Sequence, residues 1–187
     1  MLQRLAKLFL KLIGWKMVGE PPTLDKFLSI VYPHTSNWDF FIAMAVRFAS
    51  GLPVNWIAKH TLFFPPLGWL LRRMGGVPVD RTHSHNTVEQ VVTHFKYRKR
   101  FILALAPEGT RKYKEFWKSG FYHMAKDSGV PLTLAYIDYA KKETGFGPVF
   151  HLTGDIRKDM DHIRSYYADK HGKNPKNQGR ILLREEN

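Results

Sequence analysis

The sequence predicts an α/β fold: a single domain in which a mostly parallel central sheet is flanked by helices. Three observations carry that expectation. Short β-rich apolar runs alternate with segments of helical periodicity, the pattern of a parallel sheet built from crossover units. FILALA, residues 101–106, is apolar at every position, as a strand covered on both faces is. At 187 residues, with no repeat at a fixed period and no long Ser/Gly/Pro linker, the chain suits one core and one domain, 1–187.

The elements follow in order. MLQRLAKLFLKLIGWK does not read as a signal peptide, because Arg4, Lys7 and Lys11 interrupt its apolar run. Gln3 and those cations recur at helical spacing, so residues 1–16 form an amphipathic helix, suited either to a membrane surface or to the protein's own core. Residues 27–32, 54–58, 77–79, 101–106, 132–137 and 149–152 read as strands. Residues 39–50, 62–74, 87–99 and 119–128 read as helical or partly so, with Pro65 and Pro66 breaking the second. A last helix over 158–171 stops at Gly172, and the charged, Gly/Asn-rich end over 172–187 is expected to be loosely ordered.

Lys and Arg outnumber Asp and Glu by 29 to 16, a formal charge of +13, which points to an anionic partner: nucleic acid, a phospholipid surface or a phosphorylated small molecule. The absence of cysteine excludes disulfides, thiolate catalysis and Cys-based zinc sites, and fits a reducing compartment.

Ligands of open parallel sheets bind beyond the carboxyl ends of the strands. Four expected strands in succession are followed there by polar groups: Pro33 and His34, Lys59 and His60, Asp80 and Arg81, then APEGTR with Glu108, Gly109, Thr110 and Arg111. His34 and Asp39 sit five apart in VYPHTSNWD. That spacing is within reach of chance, and Ser36 with Asp39 also matches a capping box before the apolar run FFIAMAV. The two roles are compatible: Asp39 can begin the helix and also hold one imidazole nitrogen, leaving the other as a base. Gly109 permits a sharp turn, and Arg111 offers a forked donor for phosphate or carboxylate. Each cation alone reads as a solvated charge; their shared placement reads as an anion site.

These blocks resemble the glycerolipid acyltransferases of the 1-acylglycerol-3-phosphate acyltransferase type. HTSNWD matches that family's H-x4-D block, GGVPVDR its G-x-x-x-x-D-R block, APEGTR its E-G-T-R block, and VPLTLAY is similar to its final V-P strand. The blocks stand in order across residues 27–137, which is more specific than any one of them. Pro78 departs from the pattern where a large apolar residue is common, and the final block lacks a second proline.

The resemblance implies a glycerolphosphate acyltransferase-like fold and transfer of a fatty acyl group from acyl-CoA or acyl carrier protein to a hydroxyl of a lysophosphatidate-like or other lysolipid acceptor. His34 would be the general base and Asp39 would fix its tautomer. Lys59, Arg81 and Arg111 would hold the acceptor phosphate, with Glu108, Gly109 and Thr110 shaping that subsite. Oxyanion donors are expected among backbone amides near Gly109 or around Val130 and Pro131. Pro65, Pro66, Leu67 and Trp69 would line an acyl groove or meet the membrane, plain core packing being the alternative. No metal or resident cofactor is expected; His83 and His85 lack a third ligand. The implied location is cytoplasmic, peripheral on the membrane, on the cytoplasmic face of the inner membrane.

Three rivals stay open. One is a catalytically silent anionic-lipid-binding relative. A basic nucleic-acid-binding domain is prompted by KYRKR, but no binding signature accompanies that run. A serine hydrolase would need a partner for His34, and no G-x-S-x-G elbow is present.

Overall fold

A computed structural model describes residues 1–80 and 84–186, apart from the side chains at 84 and 85. Its strands are β1 (Lys16–Val18), β2 (Lys26–Tyr32), β3 (Val54–Lys59), β4 (Gly76–Val79), β5 (Phe101–Leu105), β6 (Leu132–Asp138) and β7 (Glu143–Phe150). Its helices are α1 (Leu2–Leu12), α2 (Trp38–Ser50), α3 (Leu67–Arg73), α4 (Ser84–Tyr97), α5 (Gly120–Ser128) and α6 (Ile156–Tyr167).

All seven strands form one sheet in the order β1-β7-β6-β2-β5-β3-β4. Pairings among β6, β2, β5, β3 and β4 are parallel, and β7 turns back antiparallel on β6. The carboxyl ends of five parallel strands therefore share one edge. FILALA behaves as its composition demands. Phe101 and Leu103 join the main core with α4, α5 and α6, while Ile102 packs on the opposite face with Phe27 and Leu52. Each such fully buried side chain contributes about 1.5–3 kcal/mol.

Two strands differ from expectation. β1 is three residues long, too short to read from periodicity, and it pairs in parallel with β7 through Val18 and Gly145. β7 starts at Glu143 rather than 149; its first half carries Gly145, where a Cβ would collide with the Val18 carbonyl oxygen. The glycine that weakens the strand signal is what admits β1. In the segment expected to be a broken helix, a 3₁₀ turn over His60–Leu62 precedes α3, with the two prolines between them.

α6 begins where the Asp155 carboxylate accepts the amides of Arg157 and Lys158. It ends at Tyr167 rather than at Gly172, because the chain must turn there to deliver the His171 carbonyl to the Tyr139 amide. The segment 172–187, expected to be loosely ordered, is instead held to the core through residue 186. Leu183 is buried, the Leu182 carbonyl accepts from the Trp117 amide, and Glu186 takes Arg164 at 2.7 Å. Composition reports solvation of isolated residues; it does not report these pairings across the fold.

α1 packs on α2 by a seam to which α1 contributes Leu10 as its buried side chain, against buried Ile42, Ala45 and Ala49 of α2. Leu2, Leu5, Phe9 and Leu12 stay exposed, so core packing accounts for part of its apolar face and leaves the rest open. Among the described residues no helix is long and apolar enough to cross a membrane.

Candidate active site

β2 delivers the first residues of the site. Its chain leaves the sheet at Tyr32, passes through Pro33 to His34, and enters α2 at Trp38. The Ser36 hydroxyl accepts the Trp38 amide, and Asp39 reaches back to the Ser36 amide at 2.9 Å, so the expected capping pair is present. The same carboxylate oxygen, Oδ2, accepts the Thr35 amide at 2.8 Å and lies 3.0 Å from His34 Nδ1. A carboxylate only accepts, so Nδ1 carries the proton and Nε2 is the basic nitrogen. His34 lines the cleft with its side chain 23% exposed, while Asp39 is 2% exposed behind it.

β5 supplies the second group. Gly109 turns the chain at φ +66°, a conformation that favours glycine, and Glu108 points inward. Glu108 Oε2 accepts the backbone N–H of His34 at 2.7 Å, fixing the loop that carries the imidazole. Burial pushes the Glu108 carboxyl up to about 8; the His34 amide opposes that shift and the charge on Asp39 adds to it. Glu108 thus braces the histidine loop from within the cleft lining. Thr110 Oγ1 accepts the Lys112 amide and steadies the turn that presents Arg111.

These groups border a cleft of about 1640 Å³ that runs over the carboxyl edge and continues beneath α2. Lys59, Thr110 and Arg111 line it as expected. Arg81 lies outside the described residues, as does the side chain of His85. Below α2 the lining is mostly apolar and mixed in size: Ser29, Ala104 and Ala135 of the sheet are small, while Phe27, Val31 and Ile137 beside them and Phe40 and Met44 of the helix are large. Ser29 and Ala104 are direct neighbours across β2 and β5.

Some expected residues are not brought to this cleft. Pro65, Pro66, Leu67 and Trp69 do not line it; Trp69 is 68% exposed beside exposed Phe64. Pro65 and Pro66 are likewise exposed, and Leu67 is half-buried. Val130 and Pro131 precede β6, at the opposite edge of the sheet from His34, and the Val130 amide is taken by the Ala125 carbonyl. The Gly109 amide is likewise taken, by the Ala106 carbonyl. The amides of Gly109 and Val130 themselves are therefore committed within the fold. Among the described residues there is no cluster of His, Asp and Glu able to hold a metal ion.

A family model described as Acyltransferase matches residues 25–137. The chain belongs to the acyltransferase family. Two curated relatives are the 1-acyl-sn-glycerol-3-phosphate acyltransferases of Escherichia coli, 33% identical over 141 residues, and Salmonella typhimurium, 31% identical over the same length. Each alignment takes in 71% of this chain and 55% of the relative, so the chain spans about half the length of these curated relatives. The crystal structure of the 1-acyl-sn-glycerophosphate (LPA) acyltransferase PlsC from Thermotoga maritima has the same fold. Its TM-score is 0.57 at 18% identity, over 92% of this chain and 80% of that one.

The tertiary structure adds residues to this site that the sequence reading passed over. Lys118 packs against Gly109 and lines the cleft, as does Lys114. Asn174 clamps the histidine loop, its amide donating to Thr35 Oγ1 and its side-chain Nδ2 to the Thr35 carbonyl. Tyr139 donates its hydroxyl to Asp39 Oδ1 at 2.9 Å. It follows β6, so the strand-end rule that found His34, Lys59 and Glu108 would have found it too, had it been carried on to the fifth parallel strand.

Proposed function

We propose that this chain is an O-acyltransferase that moves a fatty acyl group from an acyl thioester to a hydroxyl of a lysophosphatidate-like acceptor. One observation carries the reading: a buried carboxylate fixes His34 so that Nε2 is its basic nitrogen, at the mouth of a cleft with cations at its rim and a narrow apolar extension below. His34 Nε2 takes the proton of the acceptor hydroxyl as its oxygen attacks the thioester carbonyl. Asp39 stabilises the imidazolium that forms. Collapse of the tetrahedral intermediate breaks the carbon–sulfur bond, and the imidazolium returns its proton to the departing thiolate. The acceptor is itself the nucleophile, so no covalent enzyme intermediate is required.

Lys59 and Arg111, joined by Lys118, supply positive charge for the acceptor phosphate. The slot under α2 suits an acyl chain because small side chains on β2, β5 and β6 leave room beneath the helix. The donor is carried by coenzyme A or by an acyl carrier protein.

Exposed Leu2, Leu5 and Phe9 form a shallow groove with Phe41 of α2, and Phe41 packs at 5.5 Å on exposed Trp38, four residues from His34. This continuous apolar surface, with Arg4 and Lys7 on the same helix, supports peripheral attachment to an anionic membrane. The site's mouth would then open at the lipid headgroups, on the cytoplasmic face of the inner membrane.

The test is thiol release from acyl-CoA and acyl carrier protein thioesters across a panel of acceptors. The panel includes lysophosphatidate, lysophospholipids lacking a terminal monophosphate, and lyso-aminolipids. Lysophosphatidate-dependent release that disappears in His34→Ala is expected; release unaffected by that substitution removes the mechanism.

A further inference from the structure

We infer that Tyr139 is a positioning residue for the acyl-transfer base, acting through Asp39 to hold His34 in one tautomer and orientation. The inference rests on the acyltransfer reading of the site and adds to it a group outside the family-matched region, which ends at residue 137.

The hydrogen bonds on Asp39 divide unequally between its two oxygens. Oδ2 faces His34 Nδ1 and the amides of Thr35 and Ser36. Oδ1 accepts the Tyr139 hydroxyl, from a residue 100 positions away in the chain. A carboxylate is symmetric, and rotation about its last bond exchanges the two oxygens or tilts both away from the imidazole. A donor on Oδ1, from a segment distant in the chain, opposes that tilt at a carboxylate that is only 2% exposed.

Tyr139 is itself held from three sides. Its amide donates to the His171 carbonyl at 2.8 Å, and its ring meets Trp15 edge-on with centroids 4.9 Å apart. Lys173 Nζ lies 5.9 Å from the same ring. Trp15, Leu10 of α1 and Ile42 of α2 share one cluster with Ile137 at the end of β6, so the phenol is set by the packing of α1 against the sheet. Burial, then the bond to Asp39, holds the phenol well above its usual range, so it remains a donor wherever the enzyme works.

Tyr139→Phe removes the hydroxyl and keeps the ring, with its packing on Trp15. Two measurements on the full chain test the role. Nitrogen-15 shifts of the His34 ring report tautomer populations directly and need no activity. The wild type is expected to show one dominant tautomer with the proton on Nδ1, and Tyr139→Phe a mixture. Unchanged shifts overturn the inference. In the thioester assay, kcat is expected to fall about tenfold with KM for the acceptor within twofold. In an Asp39→Asn background the same change is expected to add less than twofold, because its target carboxylate is gone. A full tenfold loss in that background means Tyr139 acts elsewhere and also overturns it. If the tautomer mixture appears while neither the wild type nor His34→Ala releases thiol, the positioning stands and the acyltransfer reading fails.

Discussion

Replacing Glu108 by Gln should make the protein less sensitive to alkaline pH. Glu108 is 3% exposed, and burial sets its carboxyl at about 8, against 4.5 for the free side chain. Below pH ~4.5 the group is protonated in both the folded and unfolded chains and contributes no pH dependence. Between ~4.5 and ~8 the unfolded chain loses this proton and the native one keeps it, so the native state binds more protons and stability falls as pH rises. The full difference of ~3.5 pH units corresponds to a ceiling of about 5 kcal/mol. Relaxation and water entry at the cleft mouth reduce the expected effect to roughly 2–3 kcal/mol. Glutamine keeps an acceptor for the His34 amide and does not ionise. Urea unfolding of both proteins at pH 5 and pH 8 gives the comparison, with titrations elsewhere cancelling between them. Glu108→Gln is expected to gain about 2–3 kcal/mol on wild type at pH 8 relative to pH 5. An equal pH dependence for the two proteins would show that the carboxyl is ionised throughout and that its contact with His34 is a charged one.

Asp39→Asn is expected to lower kcat by about 10³–10⁴-fold in the thiol-release assay, because the amide can present a donor to Nδ1 and favour the wrong tautomer. Ser29→Leu, which fills the small-residue floor beneath α2, should reduce kcat/KM for the longest acyl thioesters at least ~10-fold while sparing short ones, at about 1–3 kcal/mol of overpacking visible in thermal unfolding. Arg111→Ala and Lys59→Ala should each raise KM for a phosphate-bearing acceptor about 10-fold, with little change for an acceptor lacking the phosphate, as steady-state kinetics on the two acceptors will show. The pair Leu5→Asp and Phe9→Asp should abolish co-sedimentation with vesicles of mixed anionic lipid and leave the far-UV spectrum unchanged, since both side chains are exposed in the folded chain.

The order and type of the main elements were legible because their signals are local. FILALA reads as a doubly covered strand from six consecutive apolar residues, and α2 reads from Ser36, Asp39 and the periodic run after them. His34, Asp39, Lys59, Glu108 and Arg111 were legible by one further rule, that parallel strands present their carboxyl ends to a common edge. Glu108 was found at its strand end, but its bond to the His34 amide was not legible, because whether a carboxylate faces a cation or a backbone amide depends on the turn at Gly109. β1, by contrast, exists only through its partner: three residues become a strand because Gly145 lets them approach β7.

By itself, then, the sequence determined the parallel α/β class, the gathering of polar groups at the strand ends and the His34/Asp39 pair, all of which follow from local periodicity and from the direction of strands. Only the tertiary structure decided that residues 65–69 turn away from the cleft, that 172–186 clamps it, and that Tyr139 completes the carboxylate. These are contacts between segments far apart in the chain, 139 residues for Asn174 with Thr35 and 147 for Tyr32 with Gly179, and they arise when packing places two surfaces together. No window along the chain contains both partners, so a local pattern can mark a residue such as Tyr139 at a strand end but cannot pair it with its partner.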